Sequence, residues 1–237
     1  MTLDYSRHYR KWHPNTDEHY YISSADEIED LRKYLPQEPD ASIFELGAGM
    51  GLSLFALQRI GFSNLIGIDS DRSQVDAATA RGLPVELVPV SMTLSWLQRR
   101  AETFDFAFAK DVLEHVPRPE LVELISHIHA SLKSGGVFIC RVPNCNSVVS
   151  ARQRYIDWTH EDMFSPESLD FVLFNGGFSE IKITRAEDPP LHGVGGYARG
   201  MLRVAFRAVR RLQYFAEATG NEWTMPLSSN LIAICRK

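Results

Sequence analysis

Histidines, carboxylates and glycines at particular spacings are the groups with which this chain could do chemistry. His115 lies in Leu113-Glu114-His115-Val116-Pro117. His160 lies in Arg154-Tyr155-Ile156-Asp157-Trp158-Thr159-His160-Glu161-Asp162-Met163-Phe164. Imidazole titrates near neutral pH, so either histidine can serve as a general base. Asp157 precedes His160 by three residues and can orient it. A structural role is open for both histidines. Asp157 and His160 can form a polar clip that fixes a loop, with Arg154 paired to an acid. His160, Glu161, Asp162 and Asp157 are also donors for a cation such as Mg²⁺, but helix starts often look like this and no dedicated metal spacing is present. No metal is expected.

The second chemical feature is a glycine turn. Glu45-Leu46-Gly47-Ala48-Gly49-Met50-Gly51 follows the apolar run Ser42-Ile43-Phe44 and precedes a helical run from Leu52 to Ile60. That is strand, turn, helix. Gly47 and Gly49 lack a Cβ, so the backbone can turn tightly and a ligand can approach it closely. The helix behind the turn begins with unpaired N–H groups aimed at that ligand. Leu65-Ile66-Gly67-Ile68 reads as the next strand and ends in Asp69, 22 residues after Gly47 (69 − 47). An acid at that point can accept from both hydroxyls of a ribose. Together the two halves describe a pocket for an adenosine-like molecule at the carboxyl edge of a parallel sheet.

Glu-Leu-Gly-Ala-Gly-Met-Gly followed by Gly-Ile-Asp-Ser-Asp resembles the class I S-adenosylmethionine-dependent methyltransferases. The spacing is GxGxG, whereas nicotinamide oxidoreductases carry GxGxxG. The resemblance continues through residues 104–116, like the family's fourth strand and the segment after it. It extends to Leu132-Lys133-Ser134-Gly135-Gly136, like its turn into strand five with Ser134 in place of proline. It implies S-adenosylmethionine as cofactor. Glu45 would face the methionine end. Gly47, Ala48 and Gly49 would pass under the ribose and methionine, and Asp69 would hold the ribose. Ser70 would flank the adenine, as would Asp71 unless it caps the next helix. The family's adenine-binding acid after strand three is absent, leaving Ser91 or the Met92 backbone in its place. Lys110 and Asp111 would lie beside the methionine carboxylate and sulfonium, with Lys110 either pairing with that carboxylate or facing solvent. Residues 152–169 are similar to a segment of methyltransferases encoded with bacterial surface-polysaccharide enzymes. That similarity implies Arg154 and Tyr155 as acceptor-binding residues and a sugar hydroxyl, or another small molecule of a cell-surface glycan pathway, as acceptor. Two rival readings remain: a quinone-type small-molecule methyltransferase, and a cofactor-binding module without catalysis.

The elements that must position these groups follow from hydrophobic periodicity. Strands are expected near 42–46, 64–68, 85–89, 104–109 and 136–142, with helices near 51–60, 72–81, 92–99 and 118–133. Alternation of this kind implies a Rossmann-like α/β fold: a mostly parallel seven-stranded sheet with an antiparallel edge strand and helices on both faces. Ser165 and Pro166 should start a further helix. Residues 1–37 should form an aromatic segment with a helix starting near Ala25, capped by Ser23 or Ser24. Residues 38–185 and 229–237 should form the core, with a helical insertion at 186–228. In the helix expected over 197–218, Arg199, Arg203, Arg207 and Arg210 or Arg211 line one side, and Leu202, Ala205, Phe206, Val209 and Leu212 can face inward. The basic side is either a solvated face or a contact for membrane or a lipid-diphosphate-linked substrate. The 237 residues carry a net charge of −5, which argues against a nucleic-acid partner. Three cysteines form no CxxC pair and no run approaches a membrane span, so a cytoplasmic location is expected. Oligomeric state is not legible.

Overall fold

A computed structural model describes residues 14–186, 188, 193–217 and 224–237. The expected α/β alternation is present. In chain order the elements are α1 (Asp17–Glu27), β1 (Ile43–Leu46), α2 (Leu52–Arg59), β2 (Leu65–Asp69), α3 (Arg72–Thr79), β3 (Val85–Leu87), α4 (Val90–Gln98) and β4 (Phe104–Lys110). Then come α5 (Arg118–Ser131), β5 (Leu132–Pro143), α6 (Ser150–Ile156), α7 (Pro166–Asn175), β6 (Glu180–Arg185), α8 (Gly193–Glu217) and β7 (Asn230–Arg236). The sheet runs β3-β2-β1-β4-β5-β7-β6. Strands β1 to β5 are mutually parallel, and β7 lies antiparallel to both neighbours.

Parallel strands covered on both faces must be apolar on both. All four residues of β1 are buried. Phe44 and Leu46 point into one core with Trp96, Phe138 and Leu173, while Ile43 joins Leu54, Phe106 and Phe108 in the other. Alternation would put Phe104 and Phe106 on one face. The β4–β5 register shifts between them, and Phe104 instead stacks on Phe44, centroids 5.0 Å apart.

Two expectations need correction. The N-terminal helix starts at Asp17, not near Ala25. Thr16 caps it by accepting from His19 N–H (3.2 Å), and Asp17 and Glu18 suit the positive end of the helix dipole. Tyr20 on this helix is buried and donates to the Met50 carbonyl (2.6 Å), fastening α1 over the glycine turn. The segment after β5, rich in polar and aromatic residues, contains α6. The long insertion helix is present, but its apolar side faces outward: Leu202, Phe206, Val209 and Leu212 are exposed, whereas Arg203 and Arg207 turn inward to Asp188. The helix starting at Pro166 is as expected, closed by a capping box between Ser165 and Ser168. The aromatic residues at 1–13 lie outside the described residues.

Candidate active site

The carboxyl ends of β1, β2, β4 and β5 bring the first group of candidates to one edge. Gly47, Gly49 and Gly51 have φ of 70°, 54° and 78°, a left-handed path that glycine takes at little cost. A Cβ at Gly47 would sit 2.4 Å from Val112 Cγ2, so this turn and the segment after β4 close on each other without room for a side chain. Gly47 and Ala48 N–H both donate to the Ile68 carbonyl. Asp69 Oδ2 accepts from Gly49 N–H (2.8 Å) and Oδ1 from Asp71 N–H (2.8 Å), so the carboxylate is locked against the turn. Each carboxylate oxygen has a second acceptor site, which suits a ribose diol. Asp71 caps α3, accepting from Ser73 and Gln74 N–H. Ser70 is exposed at the same edge. Val88 N–H donates to the Asp69 carbonyl (2.9 Å), which sets Ser91 and Met92, both exposed at the start of α4, beside the end of β2.

Glu45 is the strained member of this edge. It is fully buried, and burial pushes its carboxyl up to about 8 against the opposing pull of Lys110 and a hydrogen bond from Ser53. Its Oε2 has no partner. A buried oxygen left this way costs roughly 1–3 kcal/mol, and a ligand amino group would relieve it. Lys110 stands next to it but is committed elsewhere: its Nζ forms a close ion pair with Glu27 and donates to the Glu27 carbonyl (2.7 Å). Asp111, at φ 54°, pairs with Arg141 (3.2 Å), which also reaches Asp30 (3.7 Å). Lys110 and Asp111 therefore tie α1 and the turn after it to the sheet edge. Glu27, Asp30 and Arg141 were not singled out in the sequence; nothing local marks contacts 83 residues apart.

The second group meets above β4. The Glu114 carbonyl accepts from Glu161 N–H (2.7 Å) and Asp162 N–H (3.2 Å), laying the 157–164 segment over the turn after β4. This brings His115 and His160 together, ring centroids 4.7 Å apart and 70° to each other. The hydrogen bonds assign their tautomers. His160 Nδ1 faces the Gln153 carbonyl (2.8 Å), which can only accept, so Nδ1 carries the proton and Nε2 the lone pair. Thr159 gives its one hydroxyl proton to Asp157 (2.7 Å), so His115 Nδ1 (2.8 Å from Thr159 Oγ1) is also a donor. Asp157 thus orients His115 through Thr159, and its carbonyl also accepts from His160 N–H (3.5 Å). Burial, with the neighbouring His160, holds His115 below its usual pKa. Glu114 is buried with Oε2 unpartnered, and burial with the nearby Asp111 charge keeps its carboxyl well above the usual range. Its Oε1 is 4.0 Å from His160 Nε2. Glu114 was missed as a site residue, although it adjoins His115 in the sequence.

The acids grouped with His160 in the sequence take separate side-chain partners. Asp162 is bound by Arg118 (2.8 Å) and Asp157 by Thr159. A different donor set exists: single ligand atoms of Glu114, His115 and His160 lie within 4.8 Å of one another, a composition that suits transition metals. Arg154 donates to the Glu161 carbonyl (3.3 Å) and lies over the Tyr155 ring, while Tyr155 and Trp158 are 80% and 90% exposed. Those two aromatics stand at the surface.

A glycine turn with a locked acid, an orphaned buried carboxyl and a histidine pair on one sheet edge define a group-transfer site of the nucleotide-cofactor kind. Residues 16–178 match the methyltransferase domain family, and the chain belongs to it. Among curated relatives, a trans-aconitate 2-methyltransferase of Deinococcus radiodurans is 23% identical over 76% of this chain and 64% of its own length. One from Rhizobium rhizogenes is 31% identical over 52% of this chain and 48% of its own. The chain thus spans about half to two-thirds of the length of these relatives. Among solved structures, a SAM-dependent methyltransferase from Archaeoglobus fulgidus superposes with a TM-score of 0.68 at 20% identity, covering 99% of this chain and all of that one. Phosphoethanolamine N-methyltransferase 2 of Haemonchus contortus, bound to S-adenosyl-L-methionine, superposes with a TM-score of 0.64 at 12% identity, covering all of this chain and 60% of that one. The fold is that of the class I methyltransferases, and the cofactor bound in the Haemonchus contortus neighbour is S-adenosyl-L-methionine. The first group of residues fits it: Asp69 offers acceptors for the ribose hydroxyls, and Glu45 has an unmet oxygen for the amino group.

Proposed function

We propose that this chain methylates a hydroxyl group on a small, uncharged acceptor, with His160 as general base and His115 beside it. The observation that carries this reading is the tautomer of His160. Its Nδ1 proton is spent on the Gln153 carbonyl, so Nε2 presents a lone pair. Glu114 Oε1, at 4.0 Å, is too distant to occupy it.

When bound, S-adenosylmethionine supplies an electrophilic methyl group whose sulfonium leaves as a neutral thioether. The residues of the chain then have two tasks. One is to hold the acceptor oxygen in line, which supplies much of the rate. The other is to remove the hydroxyl proton as the oxygen attacks, which His160 Nε2 is placed to do. Asp157, through Thr159, fixes the His115 ring against His160. The surroundings favour a neutral acceptor. The groups beside His160 are Glu114, His115 and Asp157, while Arg118 is spent on Asp162 and Arg154 donates to a backbone carbonyl. A polycarboxylate, the substrate class in the curated relatives' name, would meet acids there rather than cations. A sugar fits the hydroxyl chemistry, and the similarity of residues 152–169 supports a glycan-pathway acceptor.

The test is release of S-adenosylhomocysteine with sugars, hydroquinones and trans-aconitate offered in parallel. Turnover is expected with a hydroxyl acceptor, falling ~10²–10⁴-fold in His160→Ala. Methylation of trans-aconitate that His160→Ala leaves unchanged would overturn the reading.

A further inference from the structure

Helix α8 is amphipathic with its polar side turned to the protein. Arg207 and Arg203 reach Asp188 (2.6 and 3.4 Å), Arg210 donates to the Tyr214 hydroxyl (3.2 Å), and Tyr214 donates to Asn146 (3.4 Å). None of its residues is buried. On the opposite side Tyr197, Met201, Leu202, Val204, Val209 and Leu212 are each 53–71% exposed. At 3.6 residues per turn these six spread over an arc of about 160° along a helix about 37 Å long. A soluble protein gains nothing by leaving such a face in water.

We propose that this face docks into the headgroup–acyl boundary of an anionic lipid bilayer. The width of the arc favours a plane of lipid over a second helix, which would cover a narrower seam. Charge points the same way. The helix carries five arginines and one glutamate on a chain whose net charge is −5, and although Arg203 and Arg207 are spent on Asp188 on the protein side, Arg199 is not among them. Arg199 is exposed at the border of the apolar arc, and the aliphatic stem of an arginine so placed can lie along the apolar surface with its guanidinium at the phosphates. Among the described residues no helix is long and apolar enough to cross a membrane, so α8 lies in the interface and does not span. The helix is outside the residues matched to the methyltransferase family. Its Tyr214–Asn146 contact ties it to the carboxyl end of β5, the edge that carries the histidine pair. Docking would set the acceptor entrance at the membrane surface, which, resting on the hydroxyl-acceptor reading above, would suit a sugar hydroxyl carried on a lipid.

The test is flotation of the full chain with vesicles of phosphatidylcholine alone or mixed with phosphatidylglycerol. The wild type should float with the anionic vesicles and release at high salt. Met201→Glu combined with Leu212→Glu should weaken flotation about tenfold or more. Arg199→Glu should reduce the preference for phosphatidylglycerol. Cofactor affinity serves as the folding control, since both apolar positions point away from the body. Three results would each overturn the proposal: no flotation with either vesicle, flotation unchanged in the double variant, or a wild-type dimer that the double variant converts to monomer without any lipid binding. The last would assign the face to a second copy of the chain.

Discussion

Glu45→Gln should reverse a pH penalty built into the sheet edge. Glu45 is fully buried and its carboxyl is pushed from 4.5 up to about 8, chiefly by burial. An acid whose folded pKa is raised holds its proton in the native state after the unfolded chain has lost it. Its contribution is complete below pH 4.5 and drains away as pH climbs to about 8. At roughly 1.4 kcal/mol per unit, the loss over that window is on the order of 5 kcal/mol. Glutamine keeps the shape and cannot ionise. The variant should therefore match the wild type near pH 4.5 and exceed it progressively up to pH 8. Urea denaturation of both proteins at half-unit intervals measures this. The difference between them cancels other titrating groups, Glu114 included. A ligand amino group that pairs with the Glu45 carboxylate would release its proton, so wild-type affinity for S-adenosylmethionine should rise with pH over the same window and flatten in the variant. A wild-type–variant difference that does not change between pH 5 and 8 would refute the reasoning.

Asp69→Ala should weaken cofactor binding by about 1–3 kcal/mol by calorimetry, since ribose hydroxyls and two backbone N–H groups lose their acceptor; unchanged affinity would remove the cofactor assignment from this edge. Gly47→Ala should lower the melting temperature and cofactor affinity together, because the new Cβ meets Val112 at 2.4 Å on a backbone at φ 70°. Adding Val112→Ala should recover part of the loss, and no recovery would show that backbone strain alone decides it. Turnover should survive EDTA, because neither proton transfer to His160 nor methyl displacement needs a cation; loss of activity that Zn²⁺ or Mg²⁺ restores would reassign Glu114, His115 and His160 to metal binding.

Local signals were the legible ones. The glycine turn, the strand ending in Asp69 and the cap at Ser165 each depend on a few consecutive residues, and each is where the sequence puts it. The start of α1 is ambiguous in the sequence because Thr16 and Ser23 are both competent caps, and the Tyr20 bond that fastens the helix over the glycine turn joins residues 30 apart. Lys110 looked available for a ligand; only the fold reveals Glu27 beside it. His115 and His160 were read as rivals, but backbone bonds to the Glu114 carbonyl make them neighbours. The periodicity of α8 was readable, yet its direction was inverted. A binary pattern tells which residues share a face, and the inference that apolar faces turn inward fails where Asp188 and Asn146 offer partners to the polar side.

The most direct test is a crystal structure with S-adenosylhomocysteine. The ribose should lie on Asp69, the amino group should reach Glu45, and the sulfur should face His115 and His160 across a space wide enough for an acceptor oxygen. A cofactor bound with its sulfur turned away from the histidine pair, or bound clear of the Gly47–Gly51 turn, would contradict the account.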